Sequence, residues 1–256
     1  MFGLDEWLAG FGGSGTIALS LLIAILLGLR HATDPDHLTA VATIVAGEPG
    51  QRRRHAARLG LAWGAGHATT LFAFGLPIVL FSAFLPAAVL EGAEVLIGLV
   101  IVGLALRLLI RWRQGLIHSH EHEHAGVRHI HPHGHTQAHT GAPDSSTRDH
   151  RHVRPVRTRL SAYGIGLVHG VGGSAGVGIL LLSGIDNRVV KTIALLVFAV
   201  FTALSMAICS GAFGATLTTR RVRGAFDRLV PGLGAASVAF GAWYIAGAVA
   251  LAPYPF

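Results

Sequence analysis

The sequence has little charge and very few sulfur ligands for a chain of 256 residues. Only 13% of its residues are Asp, Glu, Lys or Arg, whereas a soluble domain carries about 25%. Cys209 is the single cysteine, which excludes a disulfide framework and a thiolate metal site. Two methionines, Met1 and Met206, are too few thioethers for a Cu(I) pathway. The net charge of +7 rests on arginines beside apolar segments, which does not indicate nucleic-acid binding.

Long apolar runs dominate the sequence instead. Hydrophobic residues make up 52% of the chain, and its 34 glycines allow close helix packing in a bilayer. A helix needs about 20 mostly apolar residues to cross the membrane. The sequence therefore predicts an all-α integral membrane protein with about six transmembrane helices. The predicted spans are residues 16–46, 59–84, 88–110, 160–184, 189–217 and 230–252.

Arginine is distributed unevenly between the predicted loops. It is concentrated at residues 52–58, 107–113, 154–159 and 220–228, and it is scarce at the opposite helix ends. Because positive residues favour the cytoplasmic side, both termini are expected outside and the long third loop inside. The expected location is the inner membrane of a bacterial cell.

Two segments suggest an internal repeat. Gly28-Leu29-Arg30-His31 in the first span is similar to Gly166-Leu167-Val168-His169 in the fourth, and the same ungapped offset pairs His67 with Ser205. Three spans in each half would give an inverted 3+3 repeat, as in transporters with a substrate site at the midplane. Chance identity in a Gly- and Leu-rich sequence is the alternative. The predicted parts are residues 1–110, a cytoplasmic loop at 111–158, and residues 159–256.

Ionisable residues interrupt the first apolar run in the heptapeptide His31-Ala32-Thr33-Asp34-Pro35-Asp36-His37. Such groups are costly at bilayer depth and normally mark a pathway or a binding site. Imidazole and carboxylate together are a ligand set for a divalent transition metal. On a continuous helix, His31, Asp34 and His37 would share one face. Pro35 should kink the helix, and a break there would turn Asp36 inward.

Further ionisable residues lie in the other spans. His67 has small neighbours in the second span, and His169 precedes a glycine-rich run that would expose carbonyl oxygens if it unwound. Glu91, Glu94 and Ser205 are candidate pathway residues. Each histidine could instead be a satisfied polar core residue, and the glutamates could be interfacial or capping residues. The predicted metal ligands are His31, Asp34, Asp36, His37, His67 and His169.

The heptapeptide also carries a family resemblance. His31–Leu38 resembles the His-x4-Asp-His signature of the nickel/cobalt transporter superfamily, and Ala65–Thr70 is similar to that family's second motif. The resemblance implies transport of nickel or cobalt, with the first motif in metal recognition. Longer members have more spans and a later Phe-Asp-Thr motif. Here His169–Gly176 takes that place without a carboxylate, which indicates a short, divergent member.

The predicted cytoplasmic loop is rich in histidine, often at alternate positions. Its apolar content is too low for a packed core, so the loop is expected to be disordered without metal. Neutral imidazoles in such tracts bind several ions loosely, which suits buffering, delivery or sensing of metal. A solvated linker is the alternative. The histidines are His118, His120, His122, His124, His129, His131, His133, His135, His139, His150 and His152.

These features together predict a transmembrane transporter of Ni²⁺ or Co²⁺ and not an enzyme. The metal is the substrate, no prosthetic group is expected, and the expected partners are the bilayer and cytoplasmic metal-handling proteins. The first motif favours uptake, with efflux as the alternative. A zinc transporter is less supported, because the paired His-Asn-x-x-Asp or His-x-x-x-Asp motifs are absent. A membrane metalloenzyme is least supported, because the closely spaced histidine pairs lie in the loop.

Overall fold

The computed structural model describes residues 17–47, 53–81, 86–124, 127–134, 158–170, 178–179 and 182–253. Within these ranges the fold is helical, apart from one two-stranded hairpin. The helices are α1 Ile17–His31, α2 Pro35–Ala46, α3 Arg53–Phe81, α4 Ala87–Arg113, α5 Arg159–His169, α6 Arg188–Leu217 and α7 Arg220–Ala248. The strands are β1 Ile117–His124 and β2 Val127–Gly134.

Four described helices are long and apolar enough to cross a membrane: α3, α4, α6 and the Ala225–Ala248 part of α7. Helices α1 and α2 pass the same test together, as one span bent by 50°. This confirms the predicted all-α integral membrane protein. The predicted span 160–184 is represented by the 11-residue α5 and a few residues beyond it. The count of six spans therefore stays a prediction.

The first predicted span is broken at the heptapeptide. The chain turns after α1, where the Thr33 amide donates to the Arg30 carbonyl, and α2 begins at Pro35. Proline suits this first helical position because its missing N–H would have no partner there. The expectation that His31, Asp34 and His37 share one helix face is therefore wrong, because they lie on both sides of a bend. The alternative that a break turns Asp36 inward is confirmed, since Asp36 is 1% exposed.

Helices α3 and α6 form the centre of the fold. They pack against each other, while α1 packs on α6 and α5 packs on α3. Helix α4 packs chiefly on α7, and α2 contacts α4, α6 and α7. Glycines permit close approaches between these helices, for example at Gly28 and Gly166. A Cβ on Gly28 would lie 2.7 Å from the Phe198 carbonyl oxygen, and a Cβ on Gly166 would overlap the Trp63 carbonyl oxygen.

The histidine-rich loop differs in part from its predicted disorder. Strands β1 and β2 pair antiparallel and place His118 opposite His133. Alternation of histidine with other residues is a period-two pattern, which matches a strand. The histidines at 135, 139, 150 and 152 lie outside the described residues. The boundaries of the loop and of the two halves stay a prediction.

Candidate metal centre

Four buried histidines from four helices meet inside the helical fold. His31 ends α1, His37 lies in the first turn of α2, His67 lies within α3, and His169 ends α5. These four residues, called the histidine cluster below, are between 0% and 3% exposed. Because unpaired polar groups are costly in such surroundings, their assembly points to a ligand or to a dedicated hydrogen-bond network.

His37 is the central member of the histidine cluster. Its ring centroid lies 4.5 Å from that of His31, 4.7 Å from that of His169 and 5.1 Å from that of His67. The rings of His67 and His169 are further apart, at 6.1 Å. His37 therefore contacts every other histidine of the cluster, and its ring lies nearer to His67 and to His169 than these two rings lie to each other.

Two carboxylates orient three of the imidazoles. Asp34 Oδ2 lies 3.3 Å from His31 Nδ1, and Asp36 Oδ1 lies 2.9 Å from His37 Nδ1. The second oxygen of Asp36 lies 3.2 Å from His169 Nε2. A carboxylate that holds one ring nitrogen is the usual outer partner of a metal-binding histidine. His37 Nε2, which has no hydrogen-bond partner among the described residues, is thereby left as the nitrogen able to bind an ion.

The spacing of the ring nitrogens suits a single metal ion. His31 Nε2 and His67 Nε2 are 2.9 Å apart. Two nitrogens bound at about 2.1 Å and at a right angle around one ion would be about 3.0 Å apart. Donor atoms of His31, His37 and His67 all lie within 4.8 Å of one another, and so do those of Asp36, His37 and His169.

Two aromatic side chains flank the histidine cluster. Phe198 of α6 lies 5.8 Å from His31 between ring centroids, and Trp63 of α3 lies 5.5 Å from His169. Both are buried, at 2% and 1% exposure. Apolar walls exclude water, which strengthens the interaction of the donor atoms with a bound cation.

Hydroxyl groups fix the two short helix ends that carry histidines. Ser205 of α6 donates to the Leu29 carbonyl, two residues before His31. Thr70 of α3 donates to the Leu167 carbonyl, two residues before His169. Leu29 and Leu167 occupy the same position in the two similar Gly-Leu-x-His segments. Each segment is thus held in the same way by a long helix of the other predicted half.

The structure brings all six predicted metal ligands into this buried region, but it places the two glutamates elsewhere. Glu91 is exposed and Glu94 is part-buried at the start of α4. Neither belongs to the two buried donor groups. The pathway role of Glu91, Glu94 and Ser205 stays a prediction, with Ser205 assigned above to the support of α1.

The sequence did not predict the two aromatic residues that flank the histidine cluster, Trp63 and Phe198. Trp63 precedes His67 by four residues, so helical spacing already places the two on one face of α3. That signal could have identified Trp63. Phe198 is two thirds of the chain away from the heptapeptide, and no spacing in the sequence relates it to His31.

Comparison with known proteins agrees with this geometry. Residues 17–251 match the family NicO, described as high-affinity nickel-transport protein. The chain belongs to this family. It is also 28% identical over 205 residues to the urease accessory protein UreH of Bacillus sp. (strain TB-90), covering 79% of this chain and 80% of that protein. No solved structure gives a significant match.

Membership of the NicO family confirms the resemblance to nickel/cobalt transporters. Together with the apolar helices, it identifies the chain as an integral membrane transporter with nickel or cobalt as its substrate. The buried donor groups lie within the matched residues 17–251 and combine the nitrogen and oxygen ligands that such ions accept.

Proposed function

We propose that the histidine cluster, with Asp34 and Asp36, is the site at which this NicO family member binds Ni²⁺ or Co²⁺ during transport. The observation that carries the proposal is the convergence of imidazoles from α1, α2 and α3 within 4.8 Å in a fully buried region. A hydrated ion would exchange its water ligands for these nitrogens.

Charge balance also supports the proposal. Two ionised carboxylates, Asp34 and Asp36, match the two positive charges of one divalent ion. Burying an unpaired charge is expensive, whereas a balanced and well-coordinated set of charges is tolerated. A divalent cation beside the two carboxylates would therefore be tolerated at this depth, and the imidazoles would supply nitrogen ligands for it.

Transport requires that the two predicted halves move relative to each other. The similar Gly-Leu-x-His segments, each ending a helix in the cluster, support the inverted 3+3 repeat with halves 1–110 and 159–256. His31 ends the first helix of one half and His169 ends the first helix of the other. A rocking movement of one half would open the site to alternate sides of the membrane.

Uptake into the cytoplasm remains the proposed direction, with both termini outside a bacterial inner membrane. The histidine-rich loop would then buffer the ion or deliver it to cytoplasmic metal-handling proteins. The register of the hairpin supports this role, because it pairs His118 with His133, His120 with His131 and His122 with His129. Neighbouring histidines on paired strands suit labile metal binding.

An enzymatic role is not part of the proposal. Residues His120 to His124 have the His-Glu-x-x-His spacing of zinc proteases, which requires a helix to bring both histidines to one metal. Here those residues form strand β1, in which positions four apart are separated by about 13 Å. We also propose that the protein holds no prosthetic group.

Metal accumulation in cells tests both the site and the direction. Cells that express the wild-type protein should contain more nickel than cells with an empty vector, because the proposed direction is uptake. Cells expressing His37→Ala at equal membrane abundance should match the empty vector. Less nickel in wild-type cells would instead indicate efflux through the same site. Wild-type behaviour of His37→Ala would contradict the assignment of the site.

A further inference from the structure

We infer that the histidine cluster holds two overlapping metal positions that share His37, and that the ion passes from one position to the other during transport. This inference rests on the proposed function, since it assumes that the cluster carries the transported ion. The two positions differ in their ligands. The first has three imidazoles, all from the first predicted half, and the second has a carboxylate and His169 of the second half.

The first position lies between His31, His37 and His67. Their donor atoms are within 4.8 Å of one another, and the Nε2 atoms of His31 and His67 are only 2.9 Å apart. All three donors are imidazole nitrogens. Asp34 Oδ2 lies 3.3 Å from His31 Nδ1, on the side of the ring opposite to the Nε2 atom that faces His67.

The second position lies between Asp36, His37 and His169. Their donor atoms also lie within 4.8 Å of one another, with Asp36 Oδ1 2.9 Å from His37 Nδ1 and Asp36 Oδ2 3.2 Å from His169 Nε2. Two imidazoles and one carboxylate form a set that binds divalent transition metals elsewhere. The carboxylate makes this position chemically different from the first one.

The two positions cannot be filled at the same time. They share His37, which offers one ligand atom to each group, and a neutral imidazole has only one nitrogen with a free lone pair. Two divalent ions in two positions that share one imidazole would repel each other strongly in a buried region of low dielectric. One ion therefore occupies the two positions in turn.

A shared ligand gives the ion a continuous route. The ion would exchange His31 and His67 for Asp36 and His169 one ligand at a time, so that it keeps part of its coordination sphere throughout. No covalent bond between protein atoms changes in this exchange. Phe198 lies beside the His31 end and Trp63 beside the His169 end, so each position has its own aromatic wall.

A variant without the loop histidines makes it possible to test the two positions of the cluster. Of its 16 histidines, eleven lie between residues 118 and 152, four form the cluster, and His55 is the last one. Replacing the eleven by glutamine in the full-length chain, purified without a histidine tag, leaves the cluster and His55. His55 lies twelve residues before His67 on α3, about 18 Å along the helix. His55→Ala is therefore a matched control.

Titration with Co²⁺, followed by the visible absorption that reports its ligands, distinguishes the two positions. The glutamine background and its His55→Ala variant should bind one tightly held ion per chain. His31→Ala and His169→Ala should each still bind one ion, with different spectra, because each keeps a different position. Of these two variants, the one that keeps the position of higher affinity should bind Co²⁺ almost as tightly as the glutamine background. His37→Ala should weaken binding by more than about 100-fold, because it disrupts both positions.

Transport of Co²⁺ in proteoliposomes completes the test. Both His31→Ala and His169→Ala should lose transport although they still bind the ion. The inference is overturned if both variants bind as weakly as His37→Ala, if their Co²⁺ spectra are identical, or if His169→Ala transports like the background. Failure of the background itself to carry Co²⁺ would instead overturn the proposed function. Equal thermal melting of the variants would exclude misfolding as the cause.

Discussion

At the scale of single residues, Asp36 connects the two parts of the metal centre. Its two oxygens contact His37 and His169, which belong to different predicted halves of the chain. The sequence alone left its orientation open, because on a straight helix it would point away from His31 and His37. The break before Pro35 changes that orientation and buries the carboxylate.

Asp36→Asn preserves the size of the side chain and removes its charge. An amide accepts through one terminal atom and donates through the other, so His37 and His169 could no longer both donate to this side chain. We expect nickel transport in proteoliposomes to fall by about 10- to 100-fold, which is typical for loss of an oriented carboxylate beside a metal ligand.

Asp186→Asn is the matched control for this change, because Asp186 is exposed and lies before α6. Its transport rate should equal that of the wild-type protein. Equal rates for Asp36→Asn and Asp186→Asn would show that the charge of Asp36 is not needed, and would remove Asp36 from the site.

At the scale of secondary-structure elements, hydropathy predicted the positions of the long helices well. It did not predict which helices contact one another. The predicted spans 88–110 and 189–217 correspond closely to α4 and α6, because a long apolar run has few alternatives to a membrane helix. The hairpin was missed because its polar composition outweighed its period-two pattern. The contact between Asp36 and His169 could not be derived from sequence, since it depends on how α5 packs on α3.

Gly166 fixes that packing, because a side chain there would meet the backbone of α3 at Trp63. Gly166→Ala should push α5 away and displace His169. We expect a lower thermal melting point in detergent, equivalent to about 1–3 kcal/mol of unfolding free energy, and slower transport. Gly164→Ala on the same helix is the control, since a Cβ there meets nothing within 4 Å. Equal effects of the two substitutions would contradict the close packing of α5 on α3.

At the scale of the whole molecule, the fold combines two predicted halves around one buried site. The heptapeptide and His67 come from the first half and His169 from the second, so the site is complete only when the halves are assembled. The sequence predicted all six of these residues as ligands from the cost of ionisable groups in apolar spans. It could not predict how the donor groups form, because they depend on distances between four helices.

The family match shows that the protein is a transporter of nickel or cobalt. The buried histidine cluster offers donor atoms that suit such an ion. In this account the cluster carries the ion across the membrane, whereas the histidine-rich loop only holds ions at one side. The two roles are separable, because the loop and the cluster share no residues.

Nickel flux into proteoliposomes tests this central claim most directly. Radioactive Ni²⁺ should accumulate at equal rates with the wild-type protein, with His55→Ala and with the protein whose eleven loop histidines are glutamine. His37→Ala, reconstituted at the same density, should show only the leak of protein-free vesicles. A wild-type rate with His37→Ala, or loss of flux in the loop-glutamine protein alone, would contradict the account, because the ion would then cross without the histidine cluster.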